Sequence, residues 1–103
     1  PRRALQELDE LLRIFREEGR AARVFAVLSD LVERWPDVIP IRARLAQAHL
    51  NAGNREEALE HLDRLGDMQL EMGQVEQAKA TIRAIVALKP PNVQEYRRLL
   101  RQL

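Results

Sequence analysis

The sequence predicts an all-α domain of about six helices joined by connections of only a few residues. Apolar residues recur at spacings of three and four along almost the whole chain, and no segment alternates with the period of two that strands show. Glycines and prolines interrupt this pattern at nearly regular intervals. Because short connections make consecutive helices antiparallel neighbours, the 103 residues are expected to form one domain of packed helical hairpins.

Each predicted helix ends at a residue that breaks helices. The six helices are expected at about 5–18, 21–35, Pro40–Ala52, Arg55–Met72, Val75–Leu88 and Val93–Leu103, with Gly19, Pro36, Gly53, Gly73 and Pro90 between them. We expect Asn54 and Asn92 to cap the helices that follow them, with Glu57 completing a capping box beside Asn54. Ala58 and Ala78 provide the small side chains that closely crossing helices need.

An internal repeat underlies the helices. The interval from Gly19 to Pro36 equals that from Gly73 to Pro90, and the interval from Gly19 to Gly53 is twice as long. Three glycines are followed by small or apolar residues at the same offsets: Val24, Leu28 and Leu31, then Ala58, Leu62 and Leu65, then Ala78, Ile82 and Ile85. With Leu65-Gly66 and Pro90, the pattern resembles the tetratricopeptide repeat family, in about two and a half to three degenerate repeats. The resemblance implies helical hairpins stacked as a right-handed α-α superhelix.

The resemblance also implies a division of the chain. Repeat 1 spans about 5–38, repeat 2 about 39–65 and repeat 3 about 59–92, with a capping helix at 93–103. The interval from Gly53 to Gly73 is much shorter than that from Gly19 to Gly53, so we expect residues 55–72 to form one helix that serves two repeats. The chain departs from the family pattern at Phe15, His49 and Gln69, where the family favours tyrosine, and at Arg42, where it has a large apolar residue.

Members of this family bind peptides in a concave groove lined by the first helix of each repeat. Carried over to this chain, the groove-facing positions are Gln6, Asp9, Arg13, Arg16 and Glu17, then Ala43, Gln47, Leu50 and Asn51, then Asp63, Asp67, Leu70 and Glu71. From these we select seven candidate partner-binding residues: Arg13, Arg16, Gln47, Leu50, Asn51, Asp67 and Leu70. The resemblance implies a groove that holds a polar or acidic segment of a partner protein.

The sequence contains no arrangement of residues that indicates catalysis, a metal or a cofactor. It has no cysteine, its four glycines are isolated, and its two histidines, His49 and His61, lack the spacing of metal ligands. Ser29 and Thr81 lie in no glycine elbow. We therefore expect a non-catalytic protein with no cofactor and no metal.

The predicted function is that of an interaction scaffold, with a structural homo-oligomer, symmetric or helix-exchanged, as the alternative. With either function, we expect the chain to be a fragment of a larger regulatory protein. We also expect a cytoplasmic location. The net charge is −3 over residues 37–73 and +4 over residues 74–103, within a total of +1. The basic residues Arg83, Arg97, Arg98 and Arg101 lack aromatic partners for stacking bases, so nucleic acid is not an expected partner. No run approaches 18 apolar residues, so no membrane is expected as a partner either.

Overall fold

A computed structural model describes residues 2–103, which form six α-helices and contain no strand. The helices are α1 (Arg2–Glu17), α2 (Ala21–Arg34), α3 (Ile39–Ala52), α4 (Arg55–Glu71), α5 (Val75–Ala87) and α6 (Val93–Gln102). Each helix packs against the next one along the chain, as in a stacked array of hairpins. The predicted all-α repeat architecture is confirmed. Within residues 2–103, none of the helices combines the length and the apolar character that crossing a bilayer requires.

Three of the turns share one backbone geometry, centred on a glycine. Gly19, Gly53 and Gly73 have φ angles of 70°, 74° and 73°. The residue after each glycine donates its backbone N–H to the carbonyl five positions earlier, at 2.8 to 2.9 Å. This is the Schellman arrangement, which needs a left-handed residue that only glycine adopts without cost. The prediction that all three glycines lie at bends between helices is confirmed.

Residues Arg55–Glu71 form one uninterrupted helix, α4, as the short spacing between Gly53 and Gly73 predicts. This helix packs against both α3 and α5. These two helix pairs are in more extensive contact than any other pair in the described chain. Ala58 on α4 and Ala78 on α5 are both fully buried, which is consistent with small residues at close crossings. The division of the chain into the three predicted repeats stays a prediction.

The core consists of two clusters that meet at α3. The first joins α1, α2 and α3, and the second joins α3, α4 and α5. Leu45 and Ala48 belong to the first cluster, whereas Ala46 belongs to the second. Helix α3 is therefore buried on two sides, and it connects one half of the molecule to the other.

The predicted side-chain caps are wrong, although both asparagines stand at the N-cap positions. Neither Asn54 nor Asn92 makes a side-chain cap hydrogen bond. The Asn54 amide instead lies 3.1 Å from Nδ1 of His49, and the Asn92 amide donates to Glu95 at 3.2 Å. At α4, the tertiary contact with His49 takes the side chain away from the helix end.

We expect Gly53→Ala and Gly66→Ala to change stability in opposite directions. At Gly53, alanine would have to adopt a φ of 74°, which should lower the free energy of unfolding by about 1 kcal/mol. Gly66 lies inside α4, and an added Cβ would lie 3.7 Å from Thr81 and 3.9 Å from Ile82, which are ordinary contacts. Gly66→Ala should therefore raise the free energy of unfolding by about 0.5 to 1 kcal/mol. Urea denaturation measures both changes, and a less stable Gly66→Ala variant would contradict the prediction.

Candidate partner-binding face

Consecutive helices in the array are antiparallel, because the connections between them are short. Helices α1, α3 and α5 therefore run in the same direction. We call the surface they form together the α1–α3–α5 face. Arg44 on α3 connects α1 to it by donating to both carboxylate oxygens of Asp9, at 2.6 and 2.8 Å. This hydrogen bonding and the charge of Arg44 hold the pKa of Asp9 below its ordinary value.

A groove of about 340 Å³ separates α3 from α5, and α4 forms its floor. None of the residues that line it is charged. They are Ala43, Ala46, Gln47 and Leu50 on α3, Leu62, Leu65 and Gln69 on α4, and Gln77, Ala80, Thr81 and Ala84 on α5. Alanines make up much of the two walls. We call it the α3–α5 groove.

The floor of the groove contains a buried polar pair. The Thr81 hydroxyl donates to Oε1 of Gln69 at 2.7 Å and also lies 3.1 Å from the carbonyl of Gln77. Gln69 and Thr81 are each only 7% exposed. Gln69 stands where the resembled family favours tyrosine, and its hydrogen bond to Thr81 joins α4 to α5.

Five of the seven predicted partner-binding residues lie on α1 and α3. Arg13 is held by ion pairs to Glu10 and Glu17 of its own helix, the latter at 2.6 Å. Gln47 donates to Oδ1 of Asn51 at 2.9 Å. Leu50 and Gln47 line the α3–α5 groove. Arg16 and Asn51 line a separate cavity of about 170 Å³ between α1, α2 and α3.

The other two predicted residues lie elsewhere. Asp67 and Leu70 line a small cleft between α4, α5 and α6, about a third of a turn around α4 from the groove floor. Asp63 borders the same cleft and accepts a hydrogen bond from the Tyr96 hydroxyl at 2.7 Å. Burial and this carboxylate raise the pKa of Tyr96 to about 12, while burial and Asp63 raise that of Asp67. The structure thus separates Asp67 and Leu70 from the other five residues.

The α5 wall of the groove was missed by the sequence analysis, which assigned the third set of positions to α4. The sequence does contain a signal for it. The α3 positions 43, 46, 47 and 50 recur on α5 as 77, 80, 81 and 84, all displaced by one constant interval. Since the same interval separates Gly19 from Gly53, α5 repeats the placement of α3 in the array.

The two histidines and Arg42 form a cluster between α3 and α4, beside α2. The rings of His49 and His61 stack at 5.5 Å with planes 4° apart, and His49 also contacts Phe25 at 4.8 Å. Arg42 places Nη1 3.2 Å from Nδ1 of His61 and donates from Nη2 to the carbonyl of Pro36 at 3.2 Å. Among residues 2–103, no group of three or more histidine, cysteine or acidic residues is arranged to hold a metal ion.

The comparisons with known proteins identify the repeat. One model of the tetratricopeptide repeat family matches residues 15–69, more than half of the chain, and a second matches residues 62–90. Together the matches extend from the end of α1 to the turn after α5. No curated protein and no solved structure matches the chain.

The Thr81–Gln69 pair generates a stability prediction. In Thr81→Val, Oε1 of Gln69 stays buried without its donor, which should lower the free energy of unfolding by about 1 to 2 kcal/mol. The double variant Gln69→Met/Thr81→Val removes both polar partners and should recover most of that loss. A double-mutant cycle by urea denaturation measures the coupling. Additive effects in this cycle would show that the two side chains do not depend on each other.

The His61 environment generates a pH prediction. Burial, Arg42 and His49 lower the pKa of His61 below its ordinary 6.5, against a smaller opposing effect of Glu60. The unfolded chain therefore binds more protons than the folded one just below pH 6.5, so the stability should fall as the pH falls from about 7 to 5. Asp9 and Glu10, whose pKa values lie below 3.8 and 4.5, change protonation below this range.

The control for this pH prediction is His61→Gln, which keeps an acceptor for Arg42 but does not titrate. Its free energy of unfolding, measured by urea denaturation at each pH, should depend less on pH over this range than that of the unchanged chain. Identical pH profiles for the two proteins would rule out a contribution from His61.

Proposed function

We propose that this chain, which belongs to the tetratricopeptide repeat family, is a non-catalytic interaction module that binds a segment of a partner protein on the α1–α3–α5 face. Proteins of this family generally mediate protein–protein interaction. The observation that carries the proposal is the α3–α5 groove, an open channel lined only by uncharged residues.

The lining of the groove determines which segment it would accept. A charged side chain entering it would lose its water and find no opposite charge, because none of the lining residues is charged. Gln47 and Gln77 offer amide donors and acceptors to a peptide backbone or to polar side chains. We therefore expect uncharged side chains, small or apolar, at the positions of the segment that enter the groove.

The α1 side of the face would contact the flanks of such a segment. Arg16 and Asn51 line the cavity between α1, α2 and α3, and Asn51 accepts a hydrogen bond from Gln47 of the groove, which supports a contact there; the part of Arg13 in binding stays a prediction. Arginine and amide groups suit acidic or polar residues. Asp67 and Leu70 border a different cleft, and their part in binding stays a prediction, as does the cytoplasmic location.

The side chains whose chemistry could serve catalysis make structural contacts instead, which supports a non-catalytic role. The Thr81 hydroxyl bonds with Gln69, and both histidines pack between helices.

A library of random peptides displayed on phage, selected on the full chain, tests the proposal. Peptides that bind should lose at least tenfold in affinity with Ala80→Glu, which places a charge at the exposed edge of the groove. The matched control is Ala26→Glu, the same change at an exposed position of α2. Gln47→Ala should weaken binding less, since it removes only one amide.

Calorimetry on each selected peptide gives the affinities, and circular dichroism checks that the variants fold. A library that yields no saturable binder would contradict the proposal. So would peptides whose affinity for Ala80→Glu equals their affinity for Ala26→Glu, because the binding surface would then lie outside the groove.

A further inference from the structure

Gln69, on the floor of the α3–α5 groove, has a hydrogen-bonding group that the fold does not use. Its Oε1 accepts a hydrogen bond from the Thr81 hydroxyl at 2.7 Å. This bond fixes the orientation of the carboxamide, so Nε2, with its two N–H donors, lies at the end away from Thr81. Among residues 2–103, no acceptor lies within hydrogen-bonding distance of Nε2.

The Nε2 atom of Gln69 faces the groove and is not sealed in the interior. Gln69 is only 7% exposed, so its side chain is more than nine-tenths buried. Among the buried and half-buried residues of the described chain, only Nε of Arg42 lacks both a partner and contact with solvent. Nε2 of Gln69 therefore keeps a small accessible area, and the surface that Gln69 exposes lines the α3–α5 groove. The groove floor thus presents a donor without an acceptor, which native packing generally avoids.

This donor lies deeper than the other amides of the groove. Gln47 and Gln77 occupy exposed positions on the walls, on α3 and α5, whereas Gln69 lies between them on α4. A peptide backbone that runs along the groove meets the wall glutamines, whose amides suit its N–H and C=O groups. The floor is reached by a side chain that enters between the walls. The group that pairs with Gln69 is therefore a side chain of the bound segment.

The lining of the groove restricts which side chain can pair with Gln69. The side chain needs an acceptor, because Nε2 only donates, and it must be uncharged, because no lining residue would neutralise a carboxylate. The carboxamide of asparagine or glutamine meets both conditions, and it extends further from the backbone than a hydroxyl of serine or threonine. It also offers a donor to Oε1 of Gln69, since a carbonyl oxygen accepts two hydrogen bonds and Thr81 supplies one.

We propose that the α3–α5 groove selects a partner segment by an asparagine or glutamine side chain, whose carboxamide pairs with that of Gln69 on the groove floor. This selection rests on the proposed function, since it concerns the segment that the groove binds. The carboxamide occupies one position, and the neighbouring side chains in the groove are small or apolar. Gln69 is then the residue that determines specificity, because an apolar side chain at that position would leave Nε2 desolvated without an acceptor.

Two phage libraries of random peptides, selected on the full chain, test the proposal. One library contains all residue types and the other lacks asparagine and glutamine. Binders from the complete library should share an asparagine or glutamine at one position. Replacing that glutamine by methionine, or that asparagine by leucine, keeps the shape of the side chain and should weaken binding about tenfold or more in calorimetry. The second library should yield only weaker binders.

Gln69→Met tests the protein side of the same contact. The Thr81 hydroxyl keeps a partner in this variant, because the carbonyl of Gln77 lies 3.1 Å from it. The carboxamide peptide and its apolar version should bind Gln69→Met equally well, since the donor that distinguishes them is gone. Gln47→Met is the matched control, the same change at an exposed position on the wall. It should weaken both peptides alike and leave the preference for the carboxamide intact.

The side-chain amide resonance of Gln69 in isotope-labelled, unchanged protein gives a readout that does not depend on how a variant folds. It should move when the carboxamide peptide is added and move less with the apolar version. Peptides that Ala80→Glu weakens but that lack a preference for asparagine or glutamine overturn this selection and leave the proposed function standing. A preference that survives in folded Gln69→Met does the same. A library without a saturable binder, or binders that Ala80→Glu weakens no more than Ala26→Glu, overturns both proposals.

Discussion

The burial of α3 on two sides is the constraint on which the rest of the array depends. Leu45 and Ala48 of this helix pack toward α1 and α2, and Ala46 packs toward α4 and α5. A single helical hairpin does not bury its apolar residues alone, so each cluster needs the face that α3 contributes. The α3–α5 groove opens on the α4–α5 side of this helix, because Ala46 and Leu50 take part in the second cluster and also line the groove.

Polar contacts fix the order and position of the helices around this core more than they stabilise it. Arg55 at the start of α4 donates to the carbonyls of Leu88 and Lys89 after α5, at 2.9 and 2.6 Å. Asp9 with Arg44, and Tyr96 with Asp63, join helices that are not consecutive in the chain. Such partly exposed pairs contribute little net free energy, but each requires one particular alignment of its two helices.

The departures from the family pattern are compensated in the same region of the molecule. His49 and Gln69 replace tyrosines, and each finds a partner on the next helix, His61 and Thr81 respectively. Arg42 replaces an apolar residue and reaches the edge of the packing, where it bonds with Pro36 and His61. Its Nε is buried without a hydrogen-bond partner in the described part of the chain. The cost of these polar residues is thus met mainly by pairing them across helices.

The sequence by itself determined the number of helices, their ends at the glycines and the continuity of α4, because these follow from local rules. Periodicity marks a buried face, and a left-handed residue stops a helix wherever it occurs. The groove between α3 and α5 and the separation of Asp67 from Gln47 were decided only by the tertiary structure. Each depends on how far apart non-consecutive helices lie, and that distance is set by side-chain packing across the array rather than by the pattern within any one helix.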